Sequence, residues 1–138
     1  MPDASLSGMD SMASLLETAQ HAVLEGTGLE IRPRDFDAFQ SFYSKQEIED
    51  LVIPRRTLAR RTASKSPLTA DETDKAVRLA RIAVKADKTF GNPEKAALWL
   101  RRENRALAGK APIELLRSET GSRIVEELLA QIDHGMFI

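Results

Sequence analysis

Arg55, Arg56, Arg60, Arg61 and Lys65 place five cations within one short stretch that contains no acid. Arginine carries a planar fork of donors, which can bond bidentately to a guanine edge or neutralise a phosphate. Thr57, among them, can reach a phosphate or a thymine methyl. The chemistry implied is recognition of a polyanion. A solvated basic helix end is the plain alternative, but unopposed like charges repel one another and a polyanion relieves that repulsion. A second set, Arg78, Arg81, Lys85 and Lys88, falls on one stripe of a helical pattern. It can face phosphates or an acidic partner, or form the wet side of an amphipathic helix. A third feature is the closing "HGMFI", in which Met136, Phe137 and Ile138 form an apolar hook after His134. Such a hook either folds back on the core or enters another protein.

These residues need elements to hold them. Ser44 and Glu47 have capping-box spacing, which starts a helix at Lys45 with Ile48, Leu51 and Val52 inside. Pro54 ends that pattern and opens another helix, whose large apolar anchor is Leu58. A capped helix, a tight turn and a helix with a basic start make a helix-turn-helix. Its turn, Val52-Ile53-Pro54, lacks the usual glycine, and β-branched residues resist positive φ, so a non-standard turn is expected. Upstream, Leu15, Leu16, Ala19, Val23 and Leu24 have helical spacing closed by Gly26 and Gly28, with His21 as a partly exposed helix residue. Phe36, Phe39, Phe42 and Tyr43 form an aromatic helical stripe belonging to the core. Thr69, followed by Asp71, Glu72 and Asp74, caps a long central helix ended by Gly91. Asn92 and Pro93 start the next helix, "ENRALAGKAP" is a loop, and Pro112 opens a short helix interrupted by Gly121. The last helix carries Ile124, Val125, Leu128, Leu129 and Ile132 on one face, with Gly135 just past its end.

Composition narrows the class. The chain has 138 residues, 42% hydrophobic and 30% charged, a globular balance. Cysteine is absent and only two histidines occur, which argues against disulfides, thiol chemistry and a structural zinc site. No apolar run approaches the roughly 20 residues of a membrane helix, and no signal peptide is visible, so a cytoplasmic protein without membrane contact is expected. No Gly-rich phosphate loop or nucleophile–base pair appears, so neither an enzyme nor a cofactor is expected. The net charge of −1 hides an asymmetry: −7 over residues 1–53, +9 over 54–110 and −3 over 111–138. The basic middle again points to a polyanion.

The C-terminal block resembles the antitoxin Xre/MbcA/ParS toxin-binding domain of RES–Xre toxin–antitoxin pairs. The resemblance is carried by Phe90, Pro93, Ala96, Trp99 and Leu100, by Asn104, Ala106, Leu107, Gly109, Pro112, Leu115 and Leu116, and by Gly121, Val125, Leu129, Ile132, His134 and Gly135. It departs at Glu119-Thr120-Gly121, where the family often places threonine two or three residues before the glycine. Upstream, "IPRRTLARR" looks like the family's Xre-like helix-turn-helix.

The resemblance implies an all-α fold in which a helix-turn-helix part packs on a small helical toxin-binding domain. The expected divisions are a flexible arm over 1–14, a DNA-binding domain over 15–88 and a toxin-binding domain over 89–138. It implies a non-enzymatic antitoxin of a type II system that blocks an NAD⁺-consuming RES-domain toxin and binds its own operator DNA. Arg55, Arg56, Thr57, Arg60, Arg61 and Lys65 are the expected DNA contacts. Trp99, Asn104, His134, Gly135, Met136, Phe137 and Ile138 are the expected toxin contacts. "HGMFI" then plugs the toxin's cleft, with the Ile138 carboxylate meeting groups that otherwise hold NAD⁺ phosphates. A homodimer is expected because helix-turn-helix proteins read paired half-sites, and higher hetero-oligomers form with the toxin. The Leu15–Leu24 and Phe36–Tyr43 helices are both candidates for pairing. The competing reading is a stand-alone helix-turn-helix regulator, which leaves the apolar hook idle.

Overall fold

The computed structural model describes residues 4–135, and every regular element among them is helical. The expected hook, Met136, Phe137 and Ile138, lies outside the described residues. The chain divides into two compact units, Met1–Arg81 and Ile82–Ile138. None of the described helices is long and apolar enough to cross a membrane.

In the first unit, α1 runs over Ala4–Glu25. Residues 4–14 therefore belong to a helix rather than to a flexible arm. The reason is burial: Met9 and Met12 are buried, Met12 completely, and α1 packs on α2 (Phe36–Phe39). Gly8 permits that approach, because a Cβ there would overlap the Ser41 side chain. The face of α1 differs from the periodicity reading as well. Val23 and Leu24 are 81% and 84% exposed, while Ala22 is buried.

The aromatic stripe forms a single short helix, α2, followed by turns, and all four rings are buried. Phe36 meets Phe39 edge-on at 5.3 Å, and Phe42 meets Tyr43 at 5.0 Å. Such pairs stabilise beyond the area they bury. The Tyr43 hydroxyl donates to the Leu79 carbonyl at 2.8 Å, so its buried polar end is satisfied. Helices α3 (Lys45–Leu51) and α4 (Arg55–Ser64) follow, and Ile48, Leu51, Val52 and Ile53 are all buried beneath them.

Helix α5 (Ala70–Phe90) contributes residues to both units. The Thr69 hydroxyl accepts from Glu72 N at 3.2 Å, and Thr69 N donates to Glu72 Oε1 at 2.8 Å, the reciprocal pair of a capping box. The second unit adds α6 (Pro93–Arg101), 3₁₀ turns at Arg105–Leu107 and Pro112–Arg117, and α7 (Glu119–Asp133). Asn92 caps α6 through Lys95 N at 3.0 Å. Leu100, Leu116, Val125 and Leu129 are fully buried in this unit, each worth about 1.5–3 kcal/mol of transfer free energy. Gly121 does not interrupt a helix. It lies in the first turn of α7, where an added Cβ would overlap the Leu115 carbonyl oxygen, so the glycine serves close packing of α7 on the 112–117 turn. Ile124, expected on the inner face of α7, is 44% exposed.

Candidate nucleic-acid and partner interfaces

The turn before α4 is built from buried apolar residues instead of glycine. Val52 has φ −124°, and its N–H, like that of Ile53, bonds back to the Ile48 carbonyl. No positive φ is needed, and Ile53 anchors the turn with no exposed surface. Pro54 sits as the cap residue in extended conformation, one position earlier than a first-turn proline.

Helix α4 then splits by face. Thr57, Leu58 and Arg61 are half-buried, whereas Arg55, Arg56 and Arg60 are exposed. Arg56 and Arg60 stand four residues apart on one surface. The Arg55 side chain is 85% exposed, and its nearest acid, Glu49, lies at 3.9 Å. An exposed pair at that distance holds little energy, so Arg55 is available to a ligand. Arg61 differs from the other predicted contacts. Its Nε and Nη2 donate to both oxygens of Glu72, at 2.9 and 3.0 Å. This half-buried bidentate pair ties α4 to α5, so Arg61 is already engaged within the protein. Lys65 ends α4 with φ +54°, and its side chain is exposed. Of the second cationic stripe, Arg78 and Arg81 are half-buried and have interactions within the protein.

In the second unit, Trp99 is half-buried and packs on Phe90 with ring centroids 5.4 Å apart. Asn104 is half-buried and bonded within its own loop. Its side chain accepts from Ala106 N at 2.9 Å and its carbonyl accepts from Leu107 N and Gly109 N, so it organises its own loop. The His134 ring nitrogen Nδ1 lies 2.7 Å from the Ala130 carbonyl, and Gly135 takes φ +73°. Both residues close α7 as a helix C-terminus requires.

Three apolar features stay exposed, the first of them on the Leu15–Leu24 segment that the sequence offered for pairing. Val23 and Leu24, with Leu16, Ala19 and Val77, line an open groove of about 490 Å³ on the first unit. Leu98 is 56% exposed on α6, and Ile124 is exposed on α7. Large apolar residues left in water mark interaction surfaces when they cluster. Helical periodicity alone could not show their exposure, because it identifies an apolar face and not what covers it. Among the described residues, no group of three or more histidine, aspartate or glutamate side chains is placed to hold a metal.

Comparison with known proteins places both parts. Residues 43–81 match the antitoxin Xre-like helix-turn-helix domain. Residues 85–135 match the antitoxin Xre/MbcA/ParS C-terminal toxin-binding domain. The protein named antitoxin Xre in Pseudomonas putida is 40% identical over 86 residues, covering 62% of this chain and 54% of that one. Antitoxin Xre of Photorhabdus laumondii is 35% identical over 85 residues, 61% of this chain and 57% of its own. A Sphingobium protein named Prs ADP-ribosylating antitoxin is 28% identical over 102 residues, 67% of this chain and 64% of its own. The chain thus spans a little over half the length of these curated Xre relatives.

Proposed function

Because the chain belongs to the Xre antitoxin family and carries a helix-turn-helix domain followed by a toxin-binding domain, we propose that it neutralises a cognate toxin by direct binding. It represses its own operon through the same complex. The toxin is a RES-domain protein that consumes NAD⁺, and the chain is a non-enzymatic partner in the cytoplasm that needs no cofactor. The observation that carries this reading is the pairing, in one chain, of an exposed arginine face on α4 with a toxin-binding domain that leaves Leu98 and Ile124 in water.

Arg55, Arg56 and Arg60 read the operator from the exposed face of α4, with Thr57 at its edge and Lys65 at its end. Trp99, Leu98 and Ile124 belong to the toxin-facing surface, and residues 134–138 supply its apolar hook. Asn104 acts indirectly by holding its loop. The chain pairs with a second copy through the groove of Leu16, Ala19, Val23 and Leu24, since the alternative aromatic stripe is buried in the core. Pairing places two copies of α4 on two half-sites, and the toxin adds higher assemblies.

The test is co-expression with the product of the neighbouring reading frame. Growth rescue, restored cellular NAD⁺ and a co-purifying complex that shifts the upstream DNA support the proposal. A neighbour that is harmless alone, with DNA binding retained, assigns the chain to the stand-alone regulators.

A further inference from the structure

The 3₁₀ turn Pro33–Asp35 packs against α4. Beside that contact lies a recess of about 460 Å³ lined by Arg32, Pro33, Arg34, Arg61, Thr62 and Lys65. Four of these six residues are cationic and none is acidic. Two of the four are committed. Arg61 is held by Glu72, and Arg32 spans Glu30 Oε2 at 2.9 Å and the Lys65 carbonyl at 3.0 Å. Arg34 and Lys65 have exposed side chains without an ion-pair partner among the described residues.

The C-terminal end of α4 also opens here, and the negative end of a helix dipole disfavours anions. Four of the carbonyls there accept hydrogen bonds. Arg60 O accepts from Ser64 Oγ at 3.0 Å, Arg61 O from Ser66 N at 2.9 Å, Thr62 O from Lys65 N at 3.2 Å and Lys65 O from Arg32. With those carbonyls satisfied, the cations set the sign of the recess. A concave site holding two unpaired cations and a fixed guanidinium suits a phosphate group.

Geometry selects which phosphate. Helix α4 has 10 residues, which at 1.5 Å per residue gives about 15 Å. That exceeds the roughly 12 Å width of the major groove. With α4 inclined across the groove and Arg55 and Arg56 at one end on base edges, the other end would reach the flanking sugar–phosphate strand. We propose that Arg34 and Lys65, with Arg32 as a positioning residue, seat a backbone phosphodiester of the bound duplex. This inference rests on the reading of α4 as the recognition helix. Arg32 and Arg34 lie ahead of the segment that matches the helix-turn-helix domain, 43–81.

The test compares Arg34→Gln/Lys65→Asn with Arg55→Ala/Arg56→Ala on a duplex from upstream of the chain's own gene and on a scrambled duplex. Asparagine tolerates the positive φ at position 65. The first variant should keep its melting temperature and its preference for the specific duplex. The slope of log K against log salt should become shallower by about 1, the loss of one phosphate contact. The second variant should lose the preference itself. An unchanged slope in the first variant, alongside lost preference in the second, overturns the recess and leaves the recognition helix standing. Failure of the unaltered chain to bind any duplex overturns the recognition helix instead. In that case, titration with inorganic phosphate is followed at the Lys65 amide by NMR. A saturable shift keeps the recess as a seat for free phosphate, and no shift rejects it.

Discussion

Arg61 and Glu72 form a two-bond ion pair across the loop between α4 and α5, at 2.9 and 3.0 Å, with 19% and 13% of their side chains exposed. The pair is the polar clamp that fixes α4 on its unit. Glu72 also closes the capping box with Thr69, so one carboxylate serves two elements. Arg61→Ala should therefore lower stability by about 2 kcal/mol, the usual worth of hydrogen bonds to a charged group. Thermal melting of the two proteins measures it. A change below a few tenths of a kcal/mol would return Arg61 to the candidate DNA contacts.

Burial pushes the Glu72 carboxyl up, but bonds from Arg61 and from the Thr69 backbone and hydroxyl outweigh it and hold the carboxyl below its ordinary value of 4.5. A depressed folded value means that the charged carboxylate stabilises the fold above the ordinary value. That contribution is lost as pH falls through the lowered one. Glu72→Gln should start less stable at pH 7 and lose stability less steeply on acidification below about pH 4.5. Melting curves at several pH values check that the two proteins converge as pH falls.

Arg55→Ala/Arg56→Ala should weaken binding to the upstream DNA and flatten its salt dependence, with melting unchanged because both side chains are exposed. Titration at several salt concentrations measures both effects. Equal binding at every salt concentration would remove α4 as the recognition helix.

Val23→Glu/Leu24→Glu places two carboxylates in the proposed pairing groove. Both positions are exposed, so the fold should survive. Light scattering should report about 15.3 kDa for the variant and twice that for the unaltered chain. A dimer that persists in the variant places the pairing surface elsewhere.

Gly121→Ala should destabilise the second unit by about 1–3 kcal/mol, the cost of overpacking, because the Cβ would fall 2.9 Å from the Leu115 carbonyl carbon and closer to its oxygen. Hydrogen exchange at α7 amides would show the loss. A neutral result would mean that the 112–117 turn gives way at little cost.

What the sequence made legible was mostly local. The Ser44–Glu47 box, the Asn92–Pro93 start and the Gly91 and Gly135 ends depend on residues a few positions apart, and each stands where spacing put it. The helix-turn-helix was legible because its turn is short. Arg61 was not, because its partner Glu72 lies on another helix and spacing along one helix carries no information about it. The face of α1 was misjudged for a related reason. Its apolar residues exceed what one face can bury, and tertiary packing chose Met9, Met12 and Ala22 over Val23 and Leu24. Gly121 read as a breaker because composition cannot reveal a close approach to a carbonyl. Asn104 matched a motif, and the bond its side chain accepts from Ala106 N within the loop was not legible from that match.

The proposed inhibition of a toxin runs through the C-terminal domain and residues 134–138. The direct measurement is cellular NAD⁺ and growth during co-expression of the adjacent gene product with the full chain or with a chain ending at His134. The truncation spares α7, which ends at Asp133, so melting should be nearly unchanged. The full chain should restore growth and NAD⁺, while the truncated chain still co-purifies with the toxin and fails to restore either. Equal rescue by both chains would contradict the hook as the inhibitory element and assign inhibition to the body of the domain.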